Sequence, residues 1–132
     1  MWKKLETEKD IHDFLLKSNE LSDCCLKELK YISGSFIDDD NNMHAINCQR
    51  SVCLVFNSSN LNTGTIELKF EGLAKLILEP YNANYDSIIY EITFCKYNHL
   101  FYWFDYATND LENFEPKGTC IIAERAYYRF RN

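Results

Sequence analysis

Residues 65–70 read Thr65-Ile66-Glu67-Leu68-Lys69-Phe70. Ile66, Leu68 and Phe70 alternate with Glu67 and Lys69, a period of two that puts the apolar side chains on one face of an extended strand and the charges on the other. A strand patterned this way is half-buried and belongs to an antiparallel sheet, because parallel strands are covered on both faces and read as continuous apolar runs. Upstream, Val52, Leu54 and Phe56 alternate with Ser51, Cys53 and Val55, and the polar stretch 57–64, ending in Gly64, joins the two runs as a hairpin.

Moving downstream, Glu71-Gly72 predicts a turn. The segment 73–78 is a strand, being too short for a helix and followed by Pro80. Residues 81–87 form a polar loop and 88–95 a strand rich in β-branched and aromatic residues. Lys96-Tyr97-Asn98-His99 is the tightest turn, leading into a strand over 100–106. A loop over 110–118 precedes a last strand over 120–130, whose Arg125, Arg129 and Arg131 are available to solvent or to carboxylates.

Towards the N-terminus, the run from Leu26 to Ile37 predicts a strand bent at Gly34, and 38–42 a solvated acidic loop. Helical spacing appears in one confined place. Thr7 is an N-cap with Asp10 three residues on, Ile11, Phe14 and Leu15 make an apolar face, and Ser18-Asn19 stop the helix. Trp2 and Leu5 precede it and pack beneath it. Strands that follow one another without intervening helices exclude a doubly wound sheet. The expected fold is α+β: one domain over 1–132, with an N-terminal helix packed on a predominantly antiparallel sheet of about seven strands, as a meander or open barrel.

With 46% hydrophobic and 15% aromatic residues, the chain has ample material for a core. Its net charge of −6 argues against nucleic acid or an anionic membrane as partner and favours a basic protein, which opposite fields would steer into contact. No run of about 20 apolar residues is present, and Met1-Trp2-Lys3-Lys4 is not followed by the apolar core of an export signal, so a cytoplasmic protein is expected. Five of the six cysteines lie in or beside apolar runs, which reads as reduced thiols used as small core residues rather than as a disulfide framework.

Few motifs carry chemistry. Asp38, Asp40 and Asn42 match the first, third and fifth positions of a helix–loop–helix calcium site, but Met43 stands where Gly is needed and Gln49 where Glu is needed. There is no Cys-x-x-Cys pair for zinc. Cys95, His99 and Asp105 make a nucleophile–base–orienter set possible on paper, but core filler plus a turn histidine explains them better. Leu100-Phe101-Tyr102-Trp103-Phe104 places large side chains on both faces of one strand; either the fold covers both, or one face serves a homodimer. No metal or cofactor is expected.

Leu21-Ser22-Asp23-Cys24, Leu29-Lys30-Tyr31-Ile32-Ser33-Gly34, the run Ile66 to Leu73 and Tyr102-Trp103-Phe104-Asp105 together resemble a set of small uncharacterised bacterial proteins with a Leu-His-Asp-Ser segment and an Ile-Glu-Leu-x-Phe-x-Gly strand. Sheet-rich proteins similar to these include immunity proteins of polymorphic toxin systems. Ser22 replaces the pattern's His, so the resemblance carries over no catalytic pair and Asp23 reads as a turn residue. The function expected is non-catalytic binding of a basic protein, with Asp38, Asp39 and Asp40 as the binding residues. The alternative is an enzyme using carboxylates and histidine in a sheet-lined pocket.

Overall fold

A computed structural model describes residues 1–46, 48–59, 64–80, 86–112 and 117–131. In chain order its elements are strand β1 (Lys3–Leu5), helix α1 (Glu8–Lys17), a single 3-10 turn (Asn19–Leu21), β2 (Cys24–Ile32), β3 (Phe36–Ile37), β4 (Met43–His44), β5 (Ser51–Ser58), β6 (Thr65–Ile77), β7 (Ile88–Ile89), β8 (Thr93–Tyr97), β9 (Leu100–Phe104) and β10 (Cys120–Arg131).

α1 starts where its cap dictates. Thr7 Oγ1 accepts from Asp10 N–H, and the Asp10 carboxylate accepts from the N–H groups of Glu6 and Thr7 at 2.8 and 3.1 Å, closing a full capping box. Those amides hold the Asp10 carboxyl below its ordinary pKa. The chain then turns through three residues with positive φ, Asn19, Glu20 and Leu21, which reverses it into β2 and delivers Leu21 to the core.

The main sheet is antiparallel and curled into a half-barrel, in the order β7-β2-β5-β6-β10-β9-β8. β1 lies beside the C-terminal half of β10, on the border whose N-terminal half is taken by β9. The decisive alternation holds in register. Val52, Leu54 and Phe56 stand opposite Phe70, Leu68 and Ile66, which stand opposite Ala126, Tyr128 and Phe130. These residues line the concave face, and α1 packs into it through Ile11 and Phe14. The Phe14 ring meets Phe94 and Tyr128, with centroids 5.9 and 4.9 Å away.

Four expectations change. Glu71-Gly72 does not turn the chain: β6 runs straight through, with Gly72 at φ +66° facing Glu124 of β10, whose side chain would crowd a Cβ there at 2.8–3.0 Å. A long neighbour pairing along its whole length overrides the local turn signal. The run 26–37 is two strands: β2 ends at Ile32, and the chain breaks at Gly34 (φ +78°) to begin a separate β3–β4 hairpin. The run 88–95 is also two strands, β7 on one border of the sheet and β8 on the other. Leu5, expected beneath the helix, does reach the core, but as the end of strand β1, and Trp2, expected there too, lies instead against Lys69 and Arg129 on the other face of the sheet. The predicted turn at 96–99 is present, with Asn98 and His99 both at positive φ, the geometry that matches hairpin twist. Residues 60–63, 81–85 and 113–116 of the three predicted polar loops lie outside the described residues.

β9 is interior, between β10 and β8, and residues 101–104 are all buried. Phe101 and Trp103 enter the concave core, while Tyr102 and Phe104 form a second cluster on the convex face with Cys120. All six cysteines are free; burial pushes the thiols of Cys24, Cys53, Cys95 and Cys120 above their ordinary pKa.

Candidate functional site

Two surface features stand out. The first is the β3–β4 arm. Asp38 opens its turn, and its carboxylate faces inward: it accepts from the N–H groups of Asp40 and Asn42, both at 2.9 Å, and meets His44 Nε2 at 2.9 Å. The hydrogen bond with His44, reinforced by that of Asn42, holds the Asp38 carboxyl below its ordinary pKa. Asp38 is therefore the residue that shapes the turn, while Asp39 and Asp40 are exposed at its tip. The arm's other faces are apolar and exposed: Phe36 and Ile37 are 56% and 59% exposed, Met43 71% and Ile46 85%. Tyr31 and Ile32, at the adjoining end of β2, are about half exposed as well. Isolated exposed apolar side chains are ordinary, but here four along the arm and two at the adjoining end of β2 stand beside an acidic tip.

The second feature is a cleft of about 640 Å³ at one end of the half-barrel. Glu79 follows β6, Asp86 precedes β7, Glu91 follows it, Asp105 and Tyr106 follow β9, and Lys117 precedes β10; all six line the cleft, with Tyr90. Asp105 accepts from Thr119 N–H at 3.0 Å and lies so close to Gly118 that a Cβ there would fall 2.1 Å from its oxygen, so only glycine lets this carboxylate reach the start of β10. Asp86 accepts from Tyr90 O–H at 2.9 Å. Tyr106 is pushed up to about 12 by burial and by its hydrogen bond with Cys120, 3.2 Å away. Four carboxylates against one lysine make the cleft electronegative, suited to a cationic group with tyrosine rings to cover it. It carries no histidine among its described lining residues.

The catalytic spacing does not converge. His99 and Asp105 flank the two ends of β9, roughly 20 Å apart along the extended chain. Cys95 packs beside the convex aromatic cluster, and His99 is exposed in its turn. Asp23 is a turn residue at φ +61° whose carbonyl accepts from Ser59 N–H. Among the described residues no group of three or more His, Cys, Asp or Glu could hold a metal ion, and no helix is long and apolar enough to cross a membrane. The cleft escaped the sequence reading because its residues come from four segments, none of which forms a motif; the apolar flank of the acidic turn was legible as residues but not as a projection.

What the fold and the two features define is an α+β half-barrel with an exposed acidic–apolar arm and an acid-lined end. Comparison with protein-family models, curated proteins and solved structures finds no match for this chain.

Proposed function

We propose that this chain is a non-catalytic binding protein for a basic protein partner, in its most concrete form an immunity protein that neutralises a basic toxin. The observation that supports the reading is the arm: Asp39 and Asp40 present charge at its tip, and Phe36, Ile37 and Met43 present apolar area immediately behind it. Interfaces of this kind combine a desolvated apolar centre with a charged rim that sets association rate. The net charge of −6 and the acid-lined cleft bias the whole surface towards a cationic partner.

The test pairs capture with kinetics. The tagged wild-type chain should retain a stoichiometric basic protein from its own cells. The double variant Asp39→Lys, Asp40→Lys, which spares the turn-forming Asp38, should associate with that protein about tenfold more slowly and with a flattened salt dependence. Unchanged association kinetics would remove the arm from the interface, and a partner of acidic character would overturn the reading.

A further inference from the structure

A smaller cavity, of about 330 Å³, lies between the C-terminal end of α1 and the segments that follow β7 and β9. Its described lining residues are Leu15, Glu20, Tyr90, Glu91, Ile92 and Ala107. Tyr90, Glu91 and Ala107 also line the cleft, so the two hollows share a wall. The volume is at the small end of ligand cavities, roughly 300–1,000 Å³, which suits one side chain rather than a whole cofactor. Leu15 and Ile92 pack against the concave core and form an apolar floor. Glu20, Tyr90 and Glu91 are exposed and stand at the rim. The described lining includes no lysine, arginine or histidine. The end of α1 adds the negative pole of its dipole.

Glu20 is placed there against backbone preference. Asn19, Glu20 and Leu21 have φ of 53, 57 and 56°, a left-handed turn closed by Leu21 N–H to Ser18 O at 3.1 Å and Ser22 N–H to Asn19 O at 2.9 Å. Residues other than glycine and asparagine avoid this region. A glycine at position 20 would adopt it freely but would bring no carboxylate to the cavity. Strain kept at such a residue beside a cavity points to a use for its side chain. Tyr90 is also held: its O–H donates to Asp86 at 2.9 Å, which ties the exposed ring to the start of β7. An apolar floor, an exposed aromatic ring and two carboxylates are the parts that take up an arginine. The alkyl stem lies on apolar side chains, the planar guanidinium stacks on a ring, and its fork of N–H groups donates to carboxylates. A lysine carries one strongly hydrated point charge and uses fewer of these groups.

We infer that this cavity receives an arginine side chain, held by Glu20 and Glu91 with Leu15 and Ile92 beneath its stem. The basic partner supplies that arginine, which gives the complex a second contact on residues separate from the arm; the source of the arginine alone rests on the function proposed above.

NMR titration of the isotope-labelled wild-type chain with N-acetyl-arginine methylamide tests it. The amides of Glu20, Glu91, Ile92 and Ala107 should shift together and saturate, with a dissociation constant on the order of 1–10 mM, the affinity of a single side chain. The citrulline analogue, which keeps the shape and lacks the charge, should bind about tenfold more weakly, and the lysine analogue about threefold more weakly. Glu20→Gln and Glu91→Gln should each weaken binding of the arginine compound about fivefold. Both positions are exposed, and unchanged amide shifts elsewhere verify the fold of each variant. Absence of a saturable shift up to about 50 mM, a citrulline or lysine analogue that binds as tightly, or glutamine variants that bind like wild type would each overturn the inference. The free compound reads the cavity alone, so these outcomes leave the arm's role standing, and failure of the arm variant leaves the cavity's.

Discussion

Replacing Arg129 by alanine should destabilise the fold more than replacing Glu67, the carboxylate it serves. Glu67 points to the convex face, yet its side chain is only 4% exposed, because it lies at the middle of the sheet under the stems of two arginines. It accepts a hydrogen bond from Arg129 and forms an ion pair with Arg131 at 2.8 Å; the two arginine side chains are 29% and 56% exposed. The Arg129 guanidinium also lies over the Trp2 ring, 4.2 Å from its centroid. Arg129→Ala removes a charge-assisted hydrogen bond worth about 1.5–3 kcal/mol and a partly exposed cation–π contact worth about 0.5–1 kcal/mol, and it leaves a buried anion with one solvent-screened partner. The expected loss is about 2–4 kcal/mol. Glu67→Met removes the buried charge itself and releases two cations that reach water, so it should cost about 1 kcal/mol. Arg131→Ala should cost less than about 1 kcal/mol, as exposed pairs do. Urea unfolding followed by tryptophan fluorescence gives the comparison, urea being preferred because guanidinium chloride is itself a screening salt. The reasoning fails if Glu67→Met proves more damaging than Arg129→Ala, or if Arg129→Ala lies within about 0.5 kcal/mol of wild type.

Phe14→Ala should cost about 3–5 kcal/mol in the same assay, since the ring is fully buried between α1 and the concave face; a loss below about 1 kcal/mol would show that the helix is not anchored there. Tyr106 carries a raised pKa of about 12, so its neutral form is favoured by folding: the stability it contributes is complete below the ordinary tyrosine value near 10 and is lost as pH rises from there through 12. Tyr90, Tyr97 and Tyr127 are also shifted upward, and absorbance titration at about 295 nm, the phenolate band, should show that Tyr106→Phe removes the latest of these ionisations, whereas an unchanged curve would refute its placement against Cys120.

Much of the fold was legible because the relevant physics is local. Period-two alternation at Ile66, Leu68 and Phe70 requires one covered face, wherever that cover comes from. The Thr7–Asp10 box satisfies helix-end amides within four residues. Side chains on both faces of residues 100–104 could be met inside one chain, and β9 is indeed interior. The misread boundaries share one cause: Gly72 and Gly34 carry the same composition signal, and only pairing separates them. Gly72 is held in a continuous strand because β10 pairs beside it, whereas Gly34 lies close against Gln49 without being part of a strand pair, and the chain breaks there.

The acidic run at 38–40 was visible as charge, but its division of labour was not. Asp38 turns inward because a hairpin closes around it and brings His44 within reach, leaving Asp39 and Asp40 as the charges presented to a partner. The cleft belongs wholly to the tertiary level. Curling the sheet gathers Glu79, Asp86, Glu91 and Asp105 from segments far apart in sequence. The sequence by itself determined which residues seek cover and which ends of the helix are satisfied, since those follow from side-chain chemistry and short-range geometry. Only the tertiary structure decided what stays uncovered, because an unpaired edge or an unfilled cleft is a property of the closed arrangement and not of any segment in it.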